Sequence, residues 1–512
     1  MYRSLPPVRT FLAHHHHIPR SSNMSVDDQK KTLQDVSIAD GSIDETLGES
    51  AYIDLKAQKK LLLKLDLYLA PIITLIFLCA YLDRSNIGNA QAAGMGDDLG
   101  LIGNQYGNAV TLFYVFYVAG EIPSTILMKK LRPNRMIPTL VFCWSVVLIG
   151  TGFMHNAQQL YASRLLLGLF ESAMFPCLAL YLSTFYMPQE QALRISYLFV
   201  SAALSGAFGG LFAFALLKMD GVQGLEGWRW LFIVEGCLSI LIAFVVYFLL
   251  PNDFETARFL TQEDKELMRT RMAINARYNG APEFDWKEVR KAFRDPKLYI
   301  SCWCQFMADI CSFGLSTFMP TIIRGFGYGT VETQLLTVPV YIWASIAYMI
   351  VSWMSDRFQK RAYFMVPGAF LTAVGYAVQL GVPQAQRGAL YFSIFLIAPG
   401  IYIIVGLNAA WLLNNHAGYH KRATAVGTNQ AFGNSAGVVV GQIFAKKVNG
   451  KYVTGLSVSL GAVLLALLGH IALWAYMRSQ NKKREAMSEE EREREINAGK
   501  DGDYHPDYRY AL

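Results

Sequence analysis

Charged residues and catalytic motifs are scarce in this sequence. Only 17% of its 512 residues are Asp, Glu, Lys or Arg, whereas a soluble domain carries roughly 25%. We find no paired His/Glu metal set and no Rossmann or P-loop glycine fingerprint. The seven cysteines lack the spacing of a metal knuckle or a disulfide framework. These absences exclude an ordinary soluble enzyme and a secreted disulfide scaffold, and we expect no enzymatic reaction, no cofactor and no metal site.

Apolar residues, in contrast, make up 53% of the chain and occur in long blocks. A transmembrane helix needs about 20 largely apolar residues. Twelve stretches meet this requirement, six before a polar segment and six after it. They span residues 67–90, 105–128, 136–155, 158–186, 193–217, 228–250, 297–324, 333–355, 361–381, 388–413, 422–445 and 453–478. The sequence therefore predicts an all-α membrane protein with twelve transmembrane helices in two six-helix halves.

The polar segments divide the chain into five regions. These are a polar N-terminal tail at 1–60, a first half at 61–250, a connecting loop at 251–296, a second half at 297–478 and a C-terminal tail at 479–512. We expect an amphipathic helix in the connecting loop, and an exposed helix followed by a loose end in the C-terminal tail. Met24 is an alternative start, which would place residues 1–23 outside the native protein.

Lys and Arg cluster in the loops on one side of the predicted bundle. The loop after helix 2 carries four of them and the loop after helix 8 carries three, whereas the loops after helices 1 and 3 carry none. The loop after helix 11 is an exception, with three lysines. Since cytoplasmic loops are enriched in basic residues, we predict that both termini and the connecting loop are cytoplasmic. The net charge of +7 then reflects orientation in the lipid bilayer and not binding to nucleic acid.

Four charged residues lie inside predicted helices 1 and 4, namely Asp83, Arg84, Arg164 and Glu171. An ionisable side chain near the bilayer centre costs about 3 kcal/mol or more, so it normally faces a cavity and a partner. Arg164 and Glu171 are seven residues apart and therefore share one helix face, about 10 Å from each other. A guanidinium can bind a substrate carboxylate, and a carboxyl beside it can exchange a proton. The set could couple an organic anion to H⁺, or it could be an inert ion pair that ties the two helices together.

Other polar side chains inside the predicted spans are candidates of a second kind. We expect Glu121 to act in gating or in helix packing, and Glu235 to form a structural pair with another side chain. Asp309 is a further candidate acid in helix 7. Tyr residues in such a chain mostly pack or form an interface belt. The amides Asn429 and Asn434 could join helices or bind a ligand, and their spacing leaves both readings open.

Several motifs resemble those of a known transporter family. Ser355-Asp356-Arg357, followed by Lys360 and Arg361, resembles the loop motif of the major facilitator superfamily after helix 8. The equivalent place after helix 2 keeps the basic charge but lacks the family's Gly and Asp. More narrowly, the chain is similar to the anion:cation symporter branch, in its fungal allantoate-permease and vitamin-transporter subfamily. The matching pieces are residues 81–90, 116–124, 164–176, 227–236, 414–423 and 505–510.

This resemblance implies a major facilitator fold, alternating access and a coupling site built from helices 1 and 4. It implies that Asp83 and Glu171 carry protons, while Arg84 and Arg164 contact the anion and balance its charge. The other residues to which it assigns a role are Tyr81 and Tyr117 as pocket lining, Asn429 and Asn434 as further substrate contacts, and Asp356, Arg357 and Arg361 as the gating loop.

We therefore expect a monomeric secondary transporter of the plasma membrane that takes up a small organic anion together with protons. The anion would be a vitamin acid such as nicotinate or pantothenate, or a ureide such as allantoate. Export of an acidic metabolite is an alternative that the helices do not exclude. A nutrient-sensing receptor without transport is another, although neither predicted tail provides a large cytoplasmic extension.

Overall fold

The computed structural model describes residues 55–279, 286–358, 360–448, 450–498 and 502–512. Within these ranges the regular structure is helical, and β-type pairing is limited to an isolated bridge between Val448 and Lys451. Ten of the described helices are long and apolar enough to cross a membrane. The all-α membrane architecture predicted from the sequence is confirmed. Most of the predicted N-terminal tail, including Met24, lies outside the described residues.

Twelve helices of membrane length follow one another in the described ranges, and ten of them form the apolar set. The first six are α1 Leu55–Ala92, α2 Gln105–Lys130, α3 Pro133–Thr151, α4 Ala157–Ser183, α5 Pro188–Leu216 and α6 Gly227–Leu249. The second six are α7 Pro296–Arg324, α8 Thr330–Phe358, α9 Ala362–Gly381, α10 Arg387–Asn414, α11 Tyr419–Ile443 and α12 Val453–Glu485.

Helix α4 is interrupted in its middle, directly after one of the predicted site residues. Its first α-helical part ends at Glu171 and its second begins at Met174. Pro176 has no N–H group, so it cannot donate to the carbonyl of Ser172 and the helical ladder loses a bond there. The break places Glu171 at the end of a helical segment in the buried interior of the bundle.

The helices define two ends of the bundle. We call the end where α1 begins and α12 finishes the near end, and the end where α1 finishes and α2 begins the far end. At the far end α1 and α7 pack so closely that a Cβ on Gly88 would lie 2.1 Å from the carbonyl oxygen of Thr317. A Cβ on Gly107 of α2 would lie 2.1 Å from the carbonyl oxygen of Gly441 in α11. Glycine at these positions therefore brings the first and second sets of helices into backbone contact.

The connecting segment between α6 and α7 contributes two helices, Gln262–Asn279 and Trp286–Phe293. Arg271, which is fully buried, donates to both carboxylate oxygens of Glu190 at 2.6 and 2.5 Å. Lys64 of α1 contacts Asp264 at 2.5 Å. The predicted amphipathic helix is thus bound to the near ends of α1 and α5.

The C-terminal segment 502–512 packs against the near end, and the expectation of a loose end was wrong. The helix before it, Glu489–Asn497, has no buried residue, as expected. Asp503 is 1% exposed and accepts from Lys297 of α7 at 2.7 Å and from Lys421 of α11 at 2.8 Å. The indole Nε1 of Trp411 in α10 donates to the carbonyl of Ala511 at 2.7 Å. The segment therefore joins the near ends of α7, α10 and α11. This contact could not be predicted because Asp503 and the two lysines are distant along the chain.

Candidate functional site

Asp83 lies in the buried interior of α1, 1% exposed. Its Oδ2 accepts a hydrogen bond from the indole Nε1 of Trp144 in α3 at 3.1 Å, whereas its Oδ1 has no hydrogen-bond partner among the described residues. One turn further along α1, the amide of Asn86 donates to Glu235 of α6. Glu235 therefore has a structural partner, as expected, and this partner lies next to the candidate site.

Arg84 is surrounded by aromatic rings. Its guanidinium carbon lies 4.5 Å from the ring centroid of Tyr117, 4.8 Å from Tyr81, 5.2 Å from Phe113 and 5.9 Å from Tyr114. We call these four rings the aromatic cage. Each favourable cation–π contact of this kind contributes about 0.5–2 kcal/mol. The cage holds the guanidinium in place while leaving its Nε and Nη1 donors without a hydrogen-bond acceptor in the described structure.

Glu171 and Arg164 are both 1% exposed and belong to the first part of α4. The Nη2 of Arg84 lies 3.6 Å from Oε2 of Glu171, an ion contact that is longer than a hydrogen bond. Both carboxylate oxygens of Glu171 and the Nε and Nη2 donors of Arg164 have no hydrogen-bond partner in the described part of the chain. The structure thus brings the four charges of α1 and α4 together and leaves several of their donors and acceptors unpaired.

The two predicted amides of α11 contact protein side chains. The amide of Asn434 donates to Oε2 of Glu121 in α2 at 3.3 Å. Asn429 contacts two residues of α7, since it accepts from Ser301 at 3.4 Å and donates to Gln305 at 3.5 Å. Both amides therefore join helices in this conformation, and Asn434 does so across the two sets of helices. Glu121 contacts an amide, which agrees with the packing role considered for it.

Three polar residues near Asn429 were not predicted from the sequence as site residues. Asn408 of α10 donates to Oε1 of Gln305 at 2.8 Å, and the hydroxyl of Ser301 donates to Oδ1 of Asn408 at 3.2 Å. Gln305 in turn donates to Oδ2 of Asp309 at 2.9 Å. Ser301, Gln305 and Asp309 are four residues apart, so they lie on one face of α7. That spacing was a signal available in the sequence, whereas the position of Asn408 and the Trp144 contact depend on the tertiary fold.

The loop motif after α8 forms a compact contact with α10. Arg361 Nη2 lies 2.7 Å from Oδ1 of Asp356. The side-chain oxygen of Asn414 accepts from Nε and Nη2 of Arg361 at 3.1 Å each. Arg361 is 7% exposed, whereas Arg357 points to solvent. Two of the three predicted loop residues therefore link α8, α9 and α10 at the near end, and Arg357 lies outside this contact.

One Gly-x-Ser-x-Gly string, residues 433–437, occurs in the chain. In α/β-hydrolases this string forms a sharp turn between a strand and a helix, and the turn exposes the nucleophile. Here it lies within α11, and the hydroxyl of Ser435 donates to the carbonyl of Phe432 at 2.6 Å. The string is helical and does not build a nucleophile elbow.

Comparison with known proteins agrees with the geometry. The family model described as Major Facilitator Superfamily matches residues 73–442. An uncharacterized transporter of Schizosaccharomyces pombe is 44% identical over 94% of this chain and 95% of its own length. The high-affinity nicotinic acid transporter of Saccharomyces cerevisiae is 36% identical over 83% of this chain and 79% of its own length.

Solved structures show the same fold at low sequence identity. A bacterial homolog of the human lysosomal transporter Spinster, in an inward-facing and unoccupied conformation, superposes with a TM-score of 0.63 at 14% identity, over 83% of this chain and 97% of its own. The D-xylose–proton symporter gives a TM-score of 0.63 at 11% identity, over 80% of this chain and 97% of its own. The chain therefore has the same fold as these two solved structures.

Proposed function

The chain belongs to the major facilitator superfamily, and we propose that it carries a small organic anion together with protons by alternating access. It is an integral, multi-pass membrane transporter and not an enzyme. The proposal specifies the substrate class, the coupling ion and the direction of transport. The direction is uptake across the plasma membrane, and the transporter is a monomer with cytoplasmic termini.

The unpaired guanidinium donors of the site carry the proposal. Arg84 and Arg164 are buried, and each has two nitrogen donors without a hydrogen-bond acceptor in the described structure. A buried donor left unpaired costs about 1–3 kcal/mol. The Nε and Nη2 of Arg164 lie on one edge of the guanidinium, which is the edge that binds a carboxylate through two parallel hydrogen bonds. A substrate carboxylate would satisfy these donors.

The carboxyls beside the arginines supply the coupling to protons. Glu171 balances the charge of Arg84 at 3.6 Å without forming a hydrogen bond. A proton bound to Glu171 would remove that charge and leave Arg84 available to a substrate anion. Conversely, an ionised Glu171 would compete with the anion for the same guanidinium. By linkage, proton binding and anion binding then strengthen each other by the same factor, and Asp83 beside Trp144 would act in the same way.

The substrate is expected to be small and planar or compact. The aromatic cage encloses Arg84 on several sides, so a carboxylate attached to a ring could reach the guanidinium while its ring packs against the cage. The relative from Saccharomyces cerevisiae is named a nicotinic acid transporter. Nicotinate is therefore the first probe to use.

Uptake of radiolabelled nicotinate into proteoliposomes tests the proposal. With an acidic outside and a neutral inside, accumulation is expected to exceed equilibrium and to collapse when a protonophore is added. Unlabelled pantothenate, allantoate and other small acids serve as competitors to define the class. Uptake that ignores the proton gradient, or competition by neutral sugars and not by carboxylates, would contradict the proposed function.

A further inference from the structure

A buried carboxyl on α7 is not used by the mechanism above. Asp309 is 4% exposed and belongs to the second set of helices, across from α1 and α2. Its side chain accepts a hydrogen bond from Gln305 at 2.9 Å, and it has no ion pair among the described residues. In this it differs from Glu171, which has Arg84. An ionised carboxylate without a cation is costly inside a membrane protein.

A chain of side-chain hydrogen bonds holds Asp309 in place. Gln305 donates to Asp309 and accepts from Asn408 at 2.8 Å, and Asn408 accepts from Ser301 at 3.2 Å. Asn429 of α11 closes the set through Ser301 and Gln305. Because Gln305 is fixed on its other side, its amide N–H groups are oriented toward the carboxyl. The network accommodates both forms of Asp309, since an oxygen can accept from Gln305 whether or not the other oxygen bears a proton.

The surroundings of Asp309 place it beside the aromatic cage. A Cβ on Gly433 of α11 would lie 2.3 Å from Oδ2 of Asp309, so α11 passes directly over the carboxyl. One turn along α7, the ring of Phe313 lies 4.8 Å from the ring of Tyr114, a member of the cage. Asp309 also interacts electrostatically with Tyr81, which contacts Arg84. The negative charge of an anion bound at Arg84 would therefore change the electrostatic potential at Asp309.

The described groups next to Asp309 carry no charge. Gln305 donates to it, Gly433 of α11 lies against its Oδ2, and Tyr81 of α1 and Cys311 of α7 interact with it electrostatically. Asn408 of α10 and Asn429 of α11 contact Gln305. The charged groups Arg84 and Glu171 lie behind Tyr81. A negative charge bound at Arg84 is thus one change in the electrostatic surroundings of Asp309 during a transport cycle.

The buried charges around the site do not balance. Among the described residues at the level of the site in α1, α4, α6 and α7, four carboxyls and two guanidiniums are buried, namely Asp83, Glu171, Glu235, Asp309, Arg84 and Arg164. Two cations can compensate two carboxylates, so other carboxyls must be neutral whenever water is excluded. Asp309 is the member of this group that sits on the second set of helices, next to the cage.

We propose that Asp309 is an additional proton-binding residue that takes up a proton as the anion binds and releases it after the anion leaves. The inference rests on the proposed function and deepens it. The negative anion favours the neutral form of Asp309, and by linkage the bound proton favours the anion. In the sealed states the carboxyl carries its proton across, and in the open states water allows exchange. The transporter then moves one proton more per anion than Asp83 and Glu171 carry.

The accumulation of nicotinate at equilibrium measures this number of protons. In proteoliposomes whose membrane potential is held at zero, each coupled proton contributes a factor of about 10 in accumulation per pH unit of gradient, because one unit corresponds to about 1.4 kcal/mol. Asp309→Asn is expected to reach an accumulation about tenfold lower than the unmodified protein at a gradient of one pH unit. Uptake should still respond to the gradient through the carboxyls of α1 and α4.

Two further variants complete the test. Asp309→Glu keeps a carboxyl and should restore the accumulation, and Asp97→Asn, at an exposed acid of the far-end loop, should leave it unchanged. If Asp309→Asn fails to fold, Asp309→Ser removes the carboxyl with a smaller side chain that still offers Gln305 an oxygen. Equal accumulation in the unmodified protein and in the folded neutral variant would overturn the inference. Gradient-independent uptake by the unmodified protein would instead overturn the proposed function.

Discussion

At the scale of single residues, the site combines two buried arginines with two buried carboxyls. Each of these carboxyls has at least one oxygen without a hydrogen-bond partner in the described structure. Arg84 is held by rings, whose contacts do not consume its hydrogen-bond donors. Glu171 is close enough to neutralise it but too far for a hydrogen bond. This arrangement differs from an inert buried ion pair, in which direct hydrogen bonds would satisfy both partners. The geometry favours exchange of partners over a permanent pair.

Neutral replacements of the two α1 and α4 carboxyls should separate binding from coupling. Asp83→Asn and Glu171→Gln are each expected to lower the gradient-driven accumulation of nicotinate about tenfold at a gradient of one pH unit while leaving measurable binding, because one coupled proton is lost and the guanidiniums remain. Binding to purified protein and accumulation in proteoliposomes provide the two readouts. Glu485→Gln, at an exposed residue at the end of α12, is the matched control. Accumulation at the unmodified level in both variants would remove their assigned role.

The aromatic cage can be tested at the ring nearest to Arg84. Tyr117 lies 4.5 Å from the guanidinium carbon, and its ring is also present in phenylalanine. Tyr117→Phe should therefore leave the KM for nicotinate within about twofold, whereas Tyr117→Leu should raise it roughly 5-fold, as expected for a loss of about 1 kcal/mol. If both variants behave alike, the ring does not act through the guanidinium.

At the scale of elements, helical periodicity predicted which residues share a helix face, but it did not predict which distant residues they contact. The seven-residue spacing of Arg164 and Glu171 placed them on one face of α4 because helix geometry is local. The docking of residues 502–512 could not be predicted, since Asp503 meets Lys297 and Lys421 only after the chain has folded. The same reason explains why Asn408 was missed beside Gln305.

The far-end contact between α2 and α11 depends on small residues. Gly107→Ala is expected to slow nicotinate transport several-fold, because its methyl group would lie 2.1 Å from the carbonyl oxygen of Gly441 and prevent the helices from closing. Gly150→Ala in α3 is the control, since a Cβ there meets nothing within 4 Å. Initial uptake rates at equal protein density provide the comparison. Equal rates in the two variants would show that closure at the far end does not require this contact.

The C-terminal segment should make the stability of the near end dependent on pH. Burial alone would raise the pKa of Asp503, but Lys297 and Lys421 outweigh it and lower the pKa from 3.8 to about 2. The ionised form therefore contributes about 2 kcal/mol of stability above pH 4, and this contribution is lost as the pH falls toward 2. Thermal unfolding in detergent should show this loss in the unmodified protein, and Asp503→Asn should unfold at a lower temperature at neutral pH and lack it. Parallel pH profiles of the two proteins would contradict the assignment.

At the scale of the whole molecule, the lipid bilayer explains why the chain forms twelve successive helices. Helices are one of the few structures that satisfy every backbone group in lipid, so long apolar blocks predicted their number and order. Their ends were less predictable, since α1 begins at Leu55 and α12 continues to Glu485, beyond the apolar blocks. The backbone contacts at Gly88 and Gly107 join the two sets of helices at the far end. An alternating-access mechanism requires one state in which the two sets of helices are in contact on one side of a central site. The far-end contacts are of this kind.

The most direct test of the account is whether a carboxylate moves protons. Proteoliposomes containing a pH-sensitive dye inside, with no imposed pH gradient, would receive nicotinate outside. The account predicts that the interior becomes acidic as nicotinate enters, and that Glu171→Gln lowers the number of protons that enter with each nicotinate. Entry of nicotinate without any change in internal pH would contradict the proposed coupling of anion and proton.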